Sequence, residues 1–164
     1  MKATRKPSRK PSRKTATKRA KKAASKPLTA NQQIEALLSK LEKKQQALFR
    51  SVRNSLRKQF TSSDELVYNY SHSLVVSYSP TGHGMESPVT IATRDGGVRL
   101  YFNNGPKLPD PNKLLQGSAK QARFVWVESP KTLLLPEIKA LMKASVDLAK
   151  TPDRPGGRGT LVIK

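Results

Sequence analysis

The sequence predicts an α+β domain, with an antiparallel sheet of about four to five strands flanked by an N-terminal long helix and a C-terminal helix. Apolar residues recur at helical spacing from Ile34 to Leu56, and again from Ile138 to Ala149. Between those stretches the pattern changes to a period of two, the signature of a half-buried strand. The turn Arg94-Asp95-Gly96-Gly97 lies between two β-rich runs, where Asp-Gly is a strong hairpin signal. Hairpins pair neighbouring strands antiparallel, so the helices gather on the sheet instead of alternating with its strands.

The first helix is expected over about 30–59. Thr29 and Gln32 have the spacing of a capping box, in which each side chain satisfies the other's free amide. Ile34, Leu37, Leu38, Leu41, Leu48, Val52 and Leu56 form its apolar stripe, and a break is expected near the polar run Glu42 to Gln46. Lys43, Lys44, Arg50, Arg53, Arg57 and Lys58 give it basic faces. Strand pattern follows over residues 66–78, with Leu66, Tyr68, Tyr70, His72, Leu74, Val76 and Tyr78 on one face. Such a run exceeds a usual strand, so a bend or turn is expected near Asn69–Ser73. His72 is therefore expected in the core or at a strand edge. Strands are expected at Val89–Thr93, Val98–Phe102 and Arg123–Val127. Pro136 opens the last helix, where a missing amide costs nothing, and Thr151-Pro152 ends it. Residues 151–164 are expected to be a flexible tail.

The stretch Val98 to Val127 carries the most information about the fold. A strand runs into a loop stiffened by Pro106, Pro109 and Pro111, and a second strand, Arg123 to Val127, closes it. The elements Leu108-Pro109-Asp110-Pro111, Leu114-Leu115-Gln116-Gly117, the basic strand from Arg123 and the helix opening at Pro136-Glu137 together resemble the YdhG-like family, a bacterial domain often described as frataxin-like. The likeness extends over about 120 residues, from the first helix to Ala149. It differs at Tyr68-Asn69-Tyr70-Ser71, where the family commonly has a glycine-proline turn, and at Gly96-Gly97-Val98, where it commonly has a histidine. The resemblance implies an α+β fold with a curved antiparallel sheet over residues 28–150. It also implies an alternative function, an intracellular iron chaperone or small-ligand carrier. It assigns no site residue.

Charge is the strongest functional signal. The chain has 32 Lys and Arg against 11 Asp and Glu, a net charge of +21. Such an imbalance speaks about partners and not about fold. Twelve of the cations lie in residues 1–27, which contain no acid: Lys2, Arg5, Lys6, Arg9, Lys10, Arg13, Lys14, Lys18, Arg19, Lys21, Lys22 and Lys26. No Leu, Ile, Val or Phe precedes Leu28, so this segment has nothing with which to offset its ordering entropy and is expected to be a disordered basic arm. Its composition resembles the lysine-rich tails of histone-like proteins. The same lack of apolar residues argues against an amphipathic transit peptide and a secretory signal. Phosphate on Ser8 or Ser12 would cancel local charge.

Other chemistry finds little support. The chain has no cysteine, which excludes disulfides, thiolate metal sites and a thiol nucleophile. No apolar run has the roughly 18 residues of a membrane span. His83-Gly84-Met85-Glu86 offers mixed ligands without a second histidine or a cysteine to complete a metal site. No Gly-x-Ser-x-Gly elbow is present. The one glycine-rich candidate, Gly156-Gly157-Arg158-Gly159, follows a helix instead of opening one. Asp64, Glu65, Asp95, Asp110, Glu128 and Glu137 are scattered, and the net charge without the arm is still +9, being 20 cations less 11 acids. The proline loop reads as a stiff crossover, with a cleft rim at Asn103, Asn104 and Lys107 as the sharper alternative.

The expectation is thus a non-enzymatic protein, without metal or cofactor, that binds DNA or RNA backbone non-specifically through the twelve arm residues. It is expected in the cytoplasm, associated with the nucleoid. A structural domain with an incidental solubilising tail is the bland alternative.

Overall fold

A computed structural model describes residues 28–149 and 159–164. The arm, residues 1–27, and residues 150–158 lie outside the described residues. In chain order the elements are α1 (Ala30–Leu38), α2 (Lys43–Gln59), β1 (Asp64–Tyr70), β2 (Ser73–Ser79), β3 (Val89–Arg94), β4 (Gly97–Asn103), β5 (Ala122–Trp126), α3 (Pro136–Ala149) and β6 (Leu161–Ile163), with short 3₁₀ turns at Gly84–Glu86, Gly105–Lys107 and Pro130–Leu134. The α+β class is as the sequence predicts.

The sheet has six strands in the order β5-β4-β3-β2-β1-β6. The first five pair antiparallel. The sixth corrects two expectations. Leu161–Ile163 was expected in a flexible tail, but it pairs parallel with β1, Leu161 opposite Glu65 and Ile163 opposite Val67. The sheet is therefore mixed. Residues 151–158 of the expected tail lie outside the described residues. Backbone bonds hold β6 at both ends: Glu65 N donates to Thr160 O at 2.8 Å and Lys164 N to Val67 O at 2.8 Å. Three apolar residues are too short a pattern to read as a strand, and a parallel partner so distant in sequence leaves no local trace. The addition covers the open edge of β1.

The long helix is two helices. Thr29 and Gln32 close the expected capping box, with Gln32 N donating to Thr29 Oγ1 at 3.3 Å and Thr29 N to Gln32 Oε1 at 2.9 Å. The break falls at Ser39–Glu42, reaching the first residue of the polar run, so Gln45 and Gln46 are helical. Gln45 is buried because its amide donates to Gly97 O at 2.8 Å. Phe49 joins Val52 and Leu56 in the core stripe, while Leu37, Leu41 and Leu48 are only partly buried against it.

The single apolar face expected over 66–78 does not exist. The turn expected near Asn69–Ser73 is there, formed by Ser71 and His72, so Tyr70 pairs with Ser73 and Val67 with Val76. Each pair sums to an odd number, so even positions of β2 share a face with odd positions of β1. Leu74, Val76 and Tyr78 face the helices with Val67, whereas Leu66, Tyr68 and Tyr70 point to the other side of the sheet. His72 is exposed in the turn, neither core nor strand edge. The Asp95-Gly96 hairpin forms as expected, with φ of 48° and 74°, the doubly positive pair of a type I′ turn.

The proline loop is a structural clasp. Leu108 is buried in the core. Asp110 accepts from the amides of Leu114 at 2.9 Å and Leu115 at 2.8 Å. Gln116 and Phe124 exchange backbone bonds of 2.8 and 3.0 Å. Gly105 is needed because the chain passes β5 closely: a Cβ there would lie 2.5 Å from Arg123 N. Gly105→Ala is therefore expected to cost about 1–3 kcal/mol, the usual range for overpacking. Urea denaturation checks it, and an unchanged midpoint would show that the clasp yields freely.

Candidate functional site

All three described helices contribute to the core cluster on one face of the sheet. Strand register builds the opposite face row by row. Tyr68, Val75, Ala92, Arg99 and Trp126 lie side by side in one row, and Leu66, Ser77, Thr90, Tyr101 and Phe124 in the next. The small residues fall on the central strands β2 and β3, and the rings on β1, β4 and β5. A floor of small side chains between aromatic walls makes a groove of about 380 Å³, a size that accepts a planar ligand. Tyr70, His72, Ser73, Arg94, Tyr101 and Asn103 are among its lining residues, and none of its lining residues is acidic.

The aromatic rings form one parallel stack and one tilted, edge-on group. Tyr68 and Tyr70 lie with centroids 6.2 Å apart and planes within 7° of parallel. Tyr70 is 59% exposed, so the outer side of that stack meets solvent. On the opposite wall Tyr101 and Phe124 are 5.4 Å apart, and Phe124 meets Trp126 edge-on at 6.0 Å. The Arg99 guanidinium carbon lies 4.3 Å from the Phe124 centroid and 4.2 Å from that of Trp126, within the range of cation–π attraction. Asp95 accepts from Arg99 Nη2 and orients it, while its buried Nε has no hydrogen-bond partner. Trp126 in turn lies over Gly97, where a Cβ would come 2.7 Å from the indole.

The site residues expected in the arm, from Lys2 to Lys26, lie outside the described residues. The basic faces expected of the first helix divide. Lys43, Lys44 and Lys58 are exposed on α2. Arg50 instead donates to Glu35 at 2.9 and 2.7 Å. Arg53 is buried, which removes it from any surface contact. Its guanidinium donates to both oxygens of buried Glu65, at 2.9 and 2.8 Å, and to Asn31 at 3.2 Å. Tyr78 Oη lies 3.2 Å from Glu65 Oε1, and Arg57 Nε is 3.5 Å from Oε2. A sequence signal for this network existed: Arg53 stands one residue after Val52, within the stripe Phe49, Val52, Leu56. A cation on an apolar stripe needs a buried anion to satisfy it.

Burial pushes the Tyr78 phenol well above its ordinary value of 10.0, with the neighbouring Glu65 carboxylate acting in the same direction. The folded chain therefore holds this proton more tightly than the unfolded chain. The resulting stability is complete below about pH 10 and is lost as pH rises through the folded-state value. Tyr78→Phe is expected to flatten the fall of the urea midpoint above about pH 10. A parallel fall in both proteins would contradict it.

Among the described residues no three His, Asp or Glu side chains come together as a metal cage would. His83 and Met85 are exposed, and Glu86 accepts a hydrogen bond from Thr81. Asn103 lines the groove, but its side chain is occupied in holding the loop over residues 85–87, donating to Ser87 O at 2.6 Å and to Met85 O at 3.3 Å. No described helix is long and apolar enough to cross a membrane. The site thus defines a small α+β domain with an aromatic, basic sheet face. No protein-family model matches the chain, and no curated protein or solved structure matches it.

Proposed function

We propose that the protein is a non-enzymatic, sequence-independent nucleic-acid binder built on a YdhG-like domain. The observation that carries this reading is the charge distribution, with twelve cations and no anion in residues 1–27. Lysine and arginine neutralise phosphates and release condensed counterions without reading bases. Exposed Lys43, Lys44 and Lys58 on α2 extend the cationic surface of the domain. The kinship itself rests on the motif in the sequence; in the folded domain Leu108 of that motif enters the core and Asp110 caps the turn at Leu114 and Leu115. A place in the cytoplasm at the nucleoid belongs to the same proposal. The test compares the full chain with a variant whose twelve arm cations are replaced by glutamine, measuring duplex DNA affinity at low salt. Equal affinity of the two would remove the arm from the reading.

A further inference from the structure

We infer that the helix-free face of the sheet is a stacking platform for the unpaired bases of a single-stranded nucleic acid, with Tyr70 and Tyr101 as its rings and Arg94 as a phosphate contact. This rests on the nucleic-acid reading above and deepens it by naming the form of nucleic acid and the surface that takes it.

Three features of the face agree on that occupant. First, Tyr70 offers an open ring: it lies nearly parallel to Tyr68, 6.2 Å away, and is 59% exposed. A base laid on its outer side continues a stack that already exists. Stacking of this kind tolerates any sequence, because every base has a π-face. Second, the floor between the rings is Val75, Thr90 and Ala92 on adjoining strands, small enough to leave about 380 Å³ of room. Third, the lining includes the Arg94 guanidinium, and Ser71 and Ser73 as hydroxyl partners for base edges. Aromatic faces, hydrogen-bonding edges and a cation are the elements by which proteins hold splayed-out bases.

Other occupants fit less well. Residues 1–27 of this chain contain no aromatic residue and no acid, so they offer neither a ring for Tyr70 nor an anion for Arg94. A second copy would bring another chain of net charge +21 to the same basic face. Duplex nucleic acid has its bases already stacked on both sides and reaches a protein through its phosphates and groove edges. The platform therefore discriminates single strands from duplex, which a charged arm alone does not do.

The experiment measures fluorescence anisotropy of a labelled oligothymidylate, and of its duplex with oligoadenylate, against the full chain at about 150 mM salt, where exposed charges are screened beyond about 8 Å. Tyr70→Ala is expected to weaken single-strand binding by about 5- to 150-fold, the effect of losing one stacked base. Duplex binding should change less than about twofold. Tyr70→Phe keeps the ring and should keep the affinity. Arg94→Gln should lower the single-strand salt slope by about 0.7, the value for one phosphate contact. Tyr70 is largely exposed, so its truncation should leave the thermal transition in place, and that is checked on the same samples. Unchanged single-strand affinity in Tyr70→Ala, or equal losses for both forms, overturns the platform while leaving the arm reading intact. Conversely, Tyr70-dependent single-strand binding that survives replacement of all twelve arm cations by glutamine, with duplex affinity equally unchanged, supports the platform and removes the arm reading. A full chain that binds neither form at low salt overturns both.

Discussion

Raising the salt from about 50 to about 200 mM is expected to weaken duplex DNA binding by the full chain about 10³–10⁵-fold. Each phosphate neutralised on B-form DNA contributes about 0.9 to the slope of log affinity against log salt, and six to ten contacts give that range. The twelve cations of residues 1–27 are enough to make this many contacts. The rest of the chain has a net charge of only +9, from 20 cations and 11 acids. Several of those cations are already committed: Arg53 to Glu65, Arg50 to Glu35, Arg99 to Asp95 and Lys143 to Asp147. Replacing the arm cations with glutamine should therefore flatten most of the slope. A titration across salt concentrations reads it directly. A slope unchanged by the replacement would move the phosphate contacts onto the folded domain.

Replacing Arg53 with alanine is expected to destabilise the fold by about 3–5 kcal/mol, because it strands Glu65 in the protein interior. Glu65 is 3% exposed and Arg53 6%. Both carboxylate oxygens accept from that one guanidinium, at 2.9 and 2.8 Å. Arg57 is 3.5 Å from Glu65 Oε2 and half-exposed, so it can compensate in part and draw the cost toward the lower end. The double variant Arg53→Met, Glu65→Leu should recover more than half of the loss, since neither charge is then left unpaired. Urea denaturation of the single and double variants measures the coupling. A cost below about 1 kcal/mol for Arg53→Ala would mean that water reaches Glu65 and the site is not dry.

How much of this was legible depended on how local each cause was. The capping box at Thr29 and Gln32 was readable because its partners are three residues apart. So was the Asp95-Gly96 turn, where two adjacent residues need positive φ. The last helix followed from Pro136 and the spacing of Ile138, Leu141, Met142 and Ser145, all of which are buried. The groove was not readable as a site. One of its tyrosines, Tyr70, was visible in the alternation of 66–78, but the two-residue turn at Ser71-His72 reverses which positions face the core. Only pairing tells that Tyr68 and Tyr70 point away from the helices.

By itself the sequence determined the class of the fold, the starts of its first and last helices, its central hairpin and the concentration of cations in residues 1–27. These depend on composition and on residues a turn or a hairpin apart. The tertiary structure decided what long-range pairing decides: the parallel sixth strand, the face to which each side of β1 belongs, and the burial of Arg53 against Glu65 and Tyr78. A residue's period says that one side of an element is apolar. Which neighbour covers that side, or leaves it open as a row of rings, depends on contacts between segments far apart in the chain.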